Sequence, residues 1–133
     1  MANEILIPID RDADIVIARQ KGRELAAKVG FSGSDLTIIA TAISEIARNI
    51  VVYAGSGEMC FELLQDGVRR GLAIVARDEG PGIADIEQAM RDGFSTGKSL
   101  GLGLPGARRL MDEFEIVSEL GKGTFITMRK WTR

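Results

Sequence analysis

The hydrophobic residues of the chain repeat with the spacing of a strand at the start and with that of helices further on. Isoleucines alternate with polar or small residues over 5–9, which predicts a short strand. Apolar residues then fall on one stripe over 12–29, which predicts a helix that ends at Gly30. A second stripe at helical spacing over 36–54 predicts another helix, with Gly55 directly after it.

The second half of the chain returns to strand-like alternation, interrupted by glycines. In order, its pattern predicts strands over 59–63 and 72–76, a glycine-rich stretch over 80–103 with room for a short helix at 85–91, a helix over 104–114, and a hairpin of strands 115–120 and 124–131. Strands outnumber the helical connections, and hairpins link most of them. This order favours a mixed, largely antiparallel sheet with the helices packed on one face.

Composition limits the size and the class of the protein. The chain has 133 residues, of which 45% are hydrophobic and 27% charged, a balance that suits one compact domain over 1–133. Its net charge of −2 gives no sign of the dense basic face that nucleic-acid binding needs. We therefore expect a folded domain without a nucleic-acid partner.

The absence of histidine removes the commonest metal ligand and the usual general base. Acid–base chemistry would fall to carboxylates, lysines or the single cysteine, Cys60, which lies in an apolar stretch that suits packing. The sequence shows neither a signal-peptide pattern nor an apolar run near the ~20 residues of a membrane span. We expect a cytoplasmic protein with no membrane partner.

A carboxylate and a carboxamide, Glu45 and Asn49, are four residues apart in the second predicted helix and therefore share one face. Mg²⁺ accepts an amide oxygen as a ligand, and a carboxylate can take a proton from an attacking hydroxyl. The pair fits a catalytic Glu45 beside Asn49 as a ligand of magnesium and nucleotide. The alternative is a polar pair on a solvated helix face, which is common by chance.

Asp78 stands at the end of a predicted strand, and Gly80 and Gly82 follow it. A carboxylate in this place can accept a hydrogen bond from the exocyclic amine of adenine, whereas guanine has a carbonyl there. The two glycines would let the backbone pass close to the base. A plain turn explains the same glycines equally well.

Residues 101–106 spell G-x-G-x-x-G, but the residues before them make a poor strand, which argues against a dinucleotide-binding Rossmann turn. The run instead predicts a glycine loop that opens a helix, where backbone N–H groups bind phosphate. Gly101, Leu102 and Gly103 are therefore predicted to bind the nucleotide.

A second glycine-rich run, 93–99, resembles a P-loop, but its first glycine is one residue too close to the Gly-Lys-Ser triplet. A lid over the pocket is the better interpretation. Lys98 in this run either approaches the phosphates or is a solvated loop lysine.

Gly121, Lys122 and Gly123 lie between the last two predicted strands and precede Thr124. An ordinary hairpin turn explains the glycines. It does not require Thr124, whose hydroxyl could complete an adenine site together with Asp78.

In this order and context, the four motifs resemble the boxes of the GHKL ATPases, the Bergerat-fold superfamily of gyrase, the heat-shock-90 chaperones, histidine kinases and MutL. The residues that match are Glu45-x-x-x-Asn49 for the N box, Asp78-x-Gly80-x-Gly82 for G1, Gly101-x-Gly103 for G2 and Gly121-x-Gly123-Thr124 for G3. The resemblance implies an α/β two-layer sandwich that binds ATP with Mg²⁺. It also implies a mobile lid, here at 83–100.

Shorter stretches narrow the resemblance to the RsbT-type serine-protein kinases, the switch kinases of the stressosome. Those stretches are 42–50, 92–96, 103–106 and 109–114. A histidine kinase would carry a phosphoacceptor histidine, and the chain has none. The resemblance implies a STAS-domain antagonist as the substrate, a stressosome scaffold, and a PP2C-type phosphatase that the released kinase activates.

The lid departs from that of the longer anti-sigma kinases because it is short and lacks their extra basic residues. The group that neutralises the γ-phosphate therefore stays open among Lys98, Arg48 and Arg108. Two alternatives to the switch kinase remain: an anti-sigma-factor kinase, and a nucleotide-gated binding module without significant kinase activity.

Overall fold

The computed structural model describes residues 4–83, 90 and 103–132. Its strands are β1 (Glu4–Ile9), β2 (Gly57–Asp66), β3 (Arg69–Asp78), β4 (Glu113–Glu119) and β5 (Gly123–Trp131). Its helices are α1 (Asp12–Val29), α2 (Gly33–Asn49) and α3 (Gly103–Leu110), and a π-helical turn (Ile50–Ala54) continues α2.

The five strands form one sheet in the order β1-β2-β3-β5-β4. Every pairing among them is antiparallel, with β2 joined to β3 and β4 to β5 by hairpins. The predicted largely antiparallel sheet is therefore confirmed. Its predicted mixed character is not observed among the described strands, since the hairpin pairs β2–β3 and β4–β5 and the pairs β1–β2 and β3–β5, which longer connections join, are all antiparallel.

The core lies between one face of the sheet and the helices. Alternate residues of the strands point to this side, and α2 supplies a stripe of isoleucines against them. Side chains that are completely buried include Ile39, Ile43, Ile46, Met59, Phe61, Leu72, Ile74 and Met128. Burial of each such side chain stabilises the fold by about 1.5–3 kcal/mol relative to exposure. The predicted layer of helices on one sheet face is confirmed.

The first two helices begin and end where the pattern of the sequence places them, within a few residues. The carboxylate of Asp14 accepts the backbone N–H groups of Asp10 and Arg11 at 2.8 and 3.2 Å and so caps α1. Helix α2 ends at Asn49, but the chain continues as the π-helical turn until Gly55, whose N–H donates to Ile50 O at 2.8 Å. The predicted helix over 36–54 is thus two segments of different winding.

The third predicted helix is too long. It was expected over 104–114, but α3 ends at Leu110 and Phe114 belongs to β4. The backbone N–H of Asp112 already donates to Arg129 O on β5 at 3.0 Å, so the chain has joined the sheet by then. Phe114 would face the core both as the end of a helix and as part of a strand, which is why the helical pattern includes it. The predicted helix at 85–91 lies outside the described residues, except for Met90.

Residues Gly33–Ala54 are long and apolar enough, by length and composition, to cross a membrane. The expectation that no apolar segment approaches that length is therefore wrong. This is weak evidence for a span, since the core helix of a sandwich passes the same test. Here Ile39, Ile43 and Ile46 of this segment pack into the core between α1 and the sheet.

We expect Ile43→Ala to destabilise the protein by about 2–5 kcal/mol, because it opens a cavity under a completely buried side chain. Ile17→Ala is the matched control, since Ile17 is 48% exposed on α1 and its loss should cost about 0.5 kcal/mol or less. Urea unfolding of both variants measures the difference. Equal costs for the two would contradict the assignment of Ile43 to the core.

Candidate nucleotide site

Three strand ends meet at one edge of the core-facing side of the sheet. Asp78 is the last residue of β3, and its register places it opposite Gly57 on β2 and Thr124 on β5. Directly opposed residues of antiparallel strands share a face, with Cβ atoms about 4.5–5.5 Å apart. The structure therefore brings Asp78 and Thr124 together, as the predicted adenine site requires.

The turn after β3 folds back on the carboxylate of Asp78. Gly80 N–H donates to Asp78 Oδ1 at 2.9 Å. In the part of the chain that the structure describes, the second oxygen of this carboxylate has no hydrogen-bond donor and is available to a ligand. A Cβ added to Gly80 would lie 2.6 Å from the Cβ of Ala54. The turn after β3 therefore packs closely against the last residue of the π-helical turn.

The turn after β3 and the β4–β5 hairpin dock through their backbones. Gly121 N–H donates to Pro81 O at 2.7 Å, and a Cβ on Gly82 would collide with the carbonyl of Glu119. Gly123 has φ +95°, and a Cβ there would collide with the carbonyl of Asp78. An isolated hairpin turn would need no such approach, so tertiary contact explains Gly82 and Gly123 better than turn geometry does, whereas the positive φ of Gly121 is explained by the turn itself.

Ser118 links the two turns and was missed in the sequence. Its Oγ accepts the N–H of Ile83 at 2.8 Å, donates to Gly123 O at 2.9 Å, and lies 2.8 Å from Thr124 Oγ1. A signal for it exists, because the alternation of Phe114 and Ile116 puts residue 118 on the core side of β4, where a polar side chain needs partners.

Glu45 is 8% exposed in α2, so the alternative of a solvated polar pair is wrong for this residue. Its described charged partner is Arg48, whose Nη1 lies 3.7 Å from Glu45 Oε2. One helical turn further on, Asn49 is half-buried and immediately precedes the π-helical turn. Among the residues that the structure describes, its side chain has no hydrogen-bond partner. The amide of Asn49 is therefore available to a ligand beside α2, one helical turn from the buried carboxylate of Glu45.

The phosphate-binding part of the predicted site is described only in part. Gly103 is the first residue of α3, Pro105 is buried in the first turn, and the helix packs against α2. Gly101, Leu102 and Lys98 lie outside the described residues, as does the predicted lid apart from Ile83 and Met90. Arg108 is exposed in the last turn of α3.

Cys60 can be set aside as a nucleophile. Partial burial raises the pKa of its thiol, and the negative charge of Glu4 adds to that effect. Because the thiolate is the reactive form, a raised pKa makes the group less nucleophilic at neutral pH. Within the described ranges, no group of three or more acidic, histidine or cysteine side chains could hold a metal ion.

Residues 10–130 match the family model of the histidine kinase-like ATPase domain. The chain belongs to this family. It is 50% identical to the serine/threonine-protein kinase RsbT of Bacillus subtilis over 133 residues, which is 100% of both chains. It is 30% identical to the anti-sigma F factor of Geobacillus stearothermophilus, over 98% of this chain and 93% of that protein.

Solved structures agree on the fold. The RsbU and RsbW domains of a Mycobacterium tuberculosis protein superpose with a TM-score of 0.66 at 23% identity, over 99% of this chain and 33% of that one. The catalytic domain of the histidine kinase ThkA superposes with a TM-score of 0.52 at 15% identity, over 95% of both chains. The α/β two-layer sandwich of the GHKL ATPases is confirmed.

Within its family, the chain is an ATP-binding protein serine/threonine kinase of the RsbT type. The anti-sigma factors among its relatives place it with the partner-switching regulators.

We expect Gly123→Ala to destabilise the protein by about 2 kcal/mol or more, because the new Cβ adds a backbone collision to the strain of a positive φ. Gly121→Ala is the matched control. Its φ is +82°, but nothing lies within 4 Å of an added Cβ, so it should cost about 1 kcal/mol. Chemical denaturation compares the two, and a larger loss for Gly121→Ala would contradict the docking of the turns.

Proposed function

We propose that the chain transfers the γ-phosphoryl group of ATP to a serine of a STAS-domain antagonist within a stressosome. After release from that antagonist, it binds and activates a PP2C-type phosphatase. The observation that carries the proposal is the buried carboxylate of Glu45, one helical turn from the unpartnered amide of Asn49. A module that only bound nucleotide would gain nothing from a buried carboxylate, which costs free energy to desolvate.

The base end of the site is proposed at the sheet edge. The second carboxylate oxygen of Asp78 accepts a hydrogen bond from the exocyclic amine of adenine. Thr124 lies directly opposite Asp78 on β5. Gly80 and Gly82 let the turn beside this edge pack closely, since a Cβ on either one would collide with Ala54 or with the carbonyl of Glu119. Guanine would leave the carboxylate facing a carbonyl, so the site selects adenine.

The phosphate end is proposed beside α2 and the start of α3. Gly103 opens α3, and with Gly101 and Leu102 it would give backbone N–H groups to the phosphates. The half-buried, unpartnered oxygen of Asn49 fits Mg²⁺, which takes few protein ligands and completes its shell with phosphate oxygens and water. When bound, this ion would neutralise charge on the phosphates.

Glu45 is proposed as the group that accepts or orients the proton of the attacking serine. Phosphoryl transfer depends mainly on positioning and charge stabilisation, so a docked substrate and one oriented carboxylate suffice. Arg48 is already within 3.7 Å of this carboxylate. It is therefore a weaker candidate for the γ-phosphate than Lys98, and Arg108 remains the third.

An anti-sigma-factor kinase is the second candidate, since a relative at 30% identity over nearly the full chain is named an anti-sigma F factor. The two candidates differ in the protein that the kinase captures. Pull-down with purified sigma factor and with purified STAS protein, each with Mg-ATP, separates them. Binding of the sigma factor alone would favour the second candidate.

We expect Glu45→Gln to slow phosphate transfer by ~10²–10⁴-fold, because it keeps the volume of the side chain but cannot accept a proton. Affinity for ATP should change little. The measurement is single-turnover transfer from labelled ATP to the STAS partner, alongside a nucleotide titration. Glu24→Gln, an exposed carboxylate on α1 paired with Lys21, is the control and should react at the wild-type rate. A normal rate for Glu45→Gln would remove this residue from the mechanism.

We expect Asp78→Asn to weaken ATP binding about tenfold or more, since it loses one charge-assisted hydrogen bond of ~1.5–3 kcal/mol. Calorimetry with ATP measures the change. Asp66→Asn is the control because Asp66 lies at the opposite end of the β2–β3 hairpin and pairs with Arg69. If Asp78→Asn and the wild type bind ATP equally, the base site is not at this strand end.

A further inference from the structure

We infer that Ser118 is a positioning residue for base selectivity, because it holds the hydroxyl of Thr124 with its oxygen, and not its hydrogen, towards the base. The inference rests on the proposed adenine site at Asp78. It adds a second hydrogen-bond acceptor to that site and names the residue that keeps it an acceptor.

The hydrogen bonds around Ser118 Oγ settle which atom donates. A serine hydroxyl has one hydrogen to give and two lone pairs to accept. Its hydrogen goes to Gly123 O at 2.9 Å, and one lone pair takes the N–H of Ile83 at 2.8 Å. The contact of 2.8 Å with Thr124 Oγ1 can then be a hydrogen bond only if Thr124 donates.

If the Ser118 hydroxyl donates to Thr124 instead, the group makes one hydrogen bond fewer. If Ser118 donated to Thr124, its own bond to Gly123 O would be lost, and Thr124 would have no described acceptor for its hydrogen. Both backbone partners lie beside close contacts between the two turns, since a Cβ on Gly123 would collide with Asp78 O and one on Gly82, next to Ile83, would collide with Glu119 O. The arrangement that uses all three bonds is therefore the stable one.

The consequence is a base site with two acceptors and no donor at the sheet edge. Thr124 donates its hydroxyl hydrogen to Ser118, so only the lone pairs of its oxygen remain for a ligand. Asp78 stands directly opposite on β3 with one carboxylate oxygen open. An exocyclic amine carries two N–H groups and suits such a pair, whereas a purine with a carbonyl in that position meets acceptors alone.

The test compares ATP with inosine triphosphate, which has the same sugar and phosphates but carries a carbonyl in place of the amine and an N–H in place of the neighbouring acceptor nitrogen. We expect the wild type to bind ATP more tightly. In Ser118→Ala, Thr124 is released to rotate and donate to the carbonyl, so the preference for ATP over inosine triphosphate should fall about tenfold. Calorimetric titration of both nucleotides gives the ratio of dissociation constants, which a general loss of stability would not change.

Three controls test whether this change in nucleotide preference comes from the Ser118–Thr124 pair. Ser118→Thr keeps the hydroxyl and should restore the wild-type ratio. In a Thr124→Val background, Ser118→Ala should change the ratio no further, because there is no hydroxyl left to turn. Thr132→Val removes a similar bridging hydroxyl, bonded to the N–H and O of Arg70 at the far end of β3, and should leave the ratio unchanged.

A Ser118→Ala variant that weakens both nucleotides by the same factor would overturn the inference and leave the proposed kinase site intact. A full effect of Ser118→Ala in the Thr124→Val background would overturn it as well. Failure of the proposed adenine site has a different signature, in which Asp78→Asn binds ATP as tightly as the wild type. If the inference alone fails, Asp78→Asn still weakens ATP binding while Ser118→Ala keeps the wild-type ratio.

Discussion

The backbone contact between the turn after β3 and the β4–β5 hairpin is the constraint on which the candidate site depends. Gly123 lies so close to the carbonyl of Asp78 that no side chain fits between them, and Gly121 N–H donates to Pro81 O. Because this contact is made by backbone atoms, it leaves the side chains of Asp78 and Thr124 free to serve a ligand. Any drift of the hairpin would separate the two groups that define the base end.

Helix α2 carries a second constraint, in which stability and chemistry compete. The helix is the apolar centre of the sandwich, yet it buries Glu45 within one turn of Ile43 and Ile46. A buried carboxylate costs free energy unless it is paired, and its described partner, Arg48, is 3.7 Å away and largely exposed. The completely buried isoleucines beside it stabilise the same helix, so the position of this carboxylate is set by the packing of α2.

The sequence predicted the periodic elements well and the junctions poorly. The stripe over 12–29 is α1 with the same bounds, since one apolar face and a terminal glycine identify a helix without knowledge of its neighbours. The third helix was too long because Phe114 faces the core in a helix and in a strand alike. The same ambiguity hid the π-helical winding after Asn49, which keeps the helical pattern but changes the hydrogen bonds. Ser118 was missed since its partners, Ile83 and Gly123, come from two different turns.

The two ends of the candidate site belong to different layers of the sandwich. A short series of contacts through Ala54 and Gly80 links them. Asp78 is fixed by the sheet, whereas Asn49 is fixed by the packing of α2 in the core. The π-helical turn leads from Asn49 to Ala54, and Ala54 rests on Gly80, where an added Cβ would lie 2.6 Å from its own. Gly80 in turn donates its N–H to Asp78. The separation between Asp78 and Asn49, the two ends of the proposed site, is therefore tied to this chain of contacts, and Gly80 is the residue through which the sheet edge meets the end of α2.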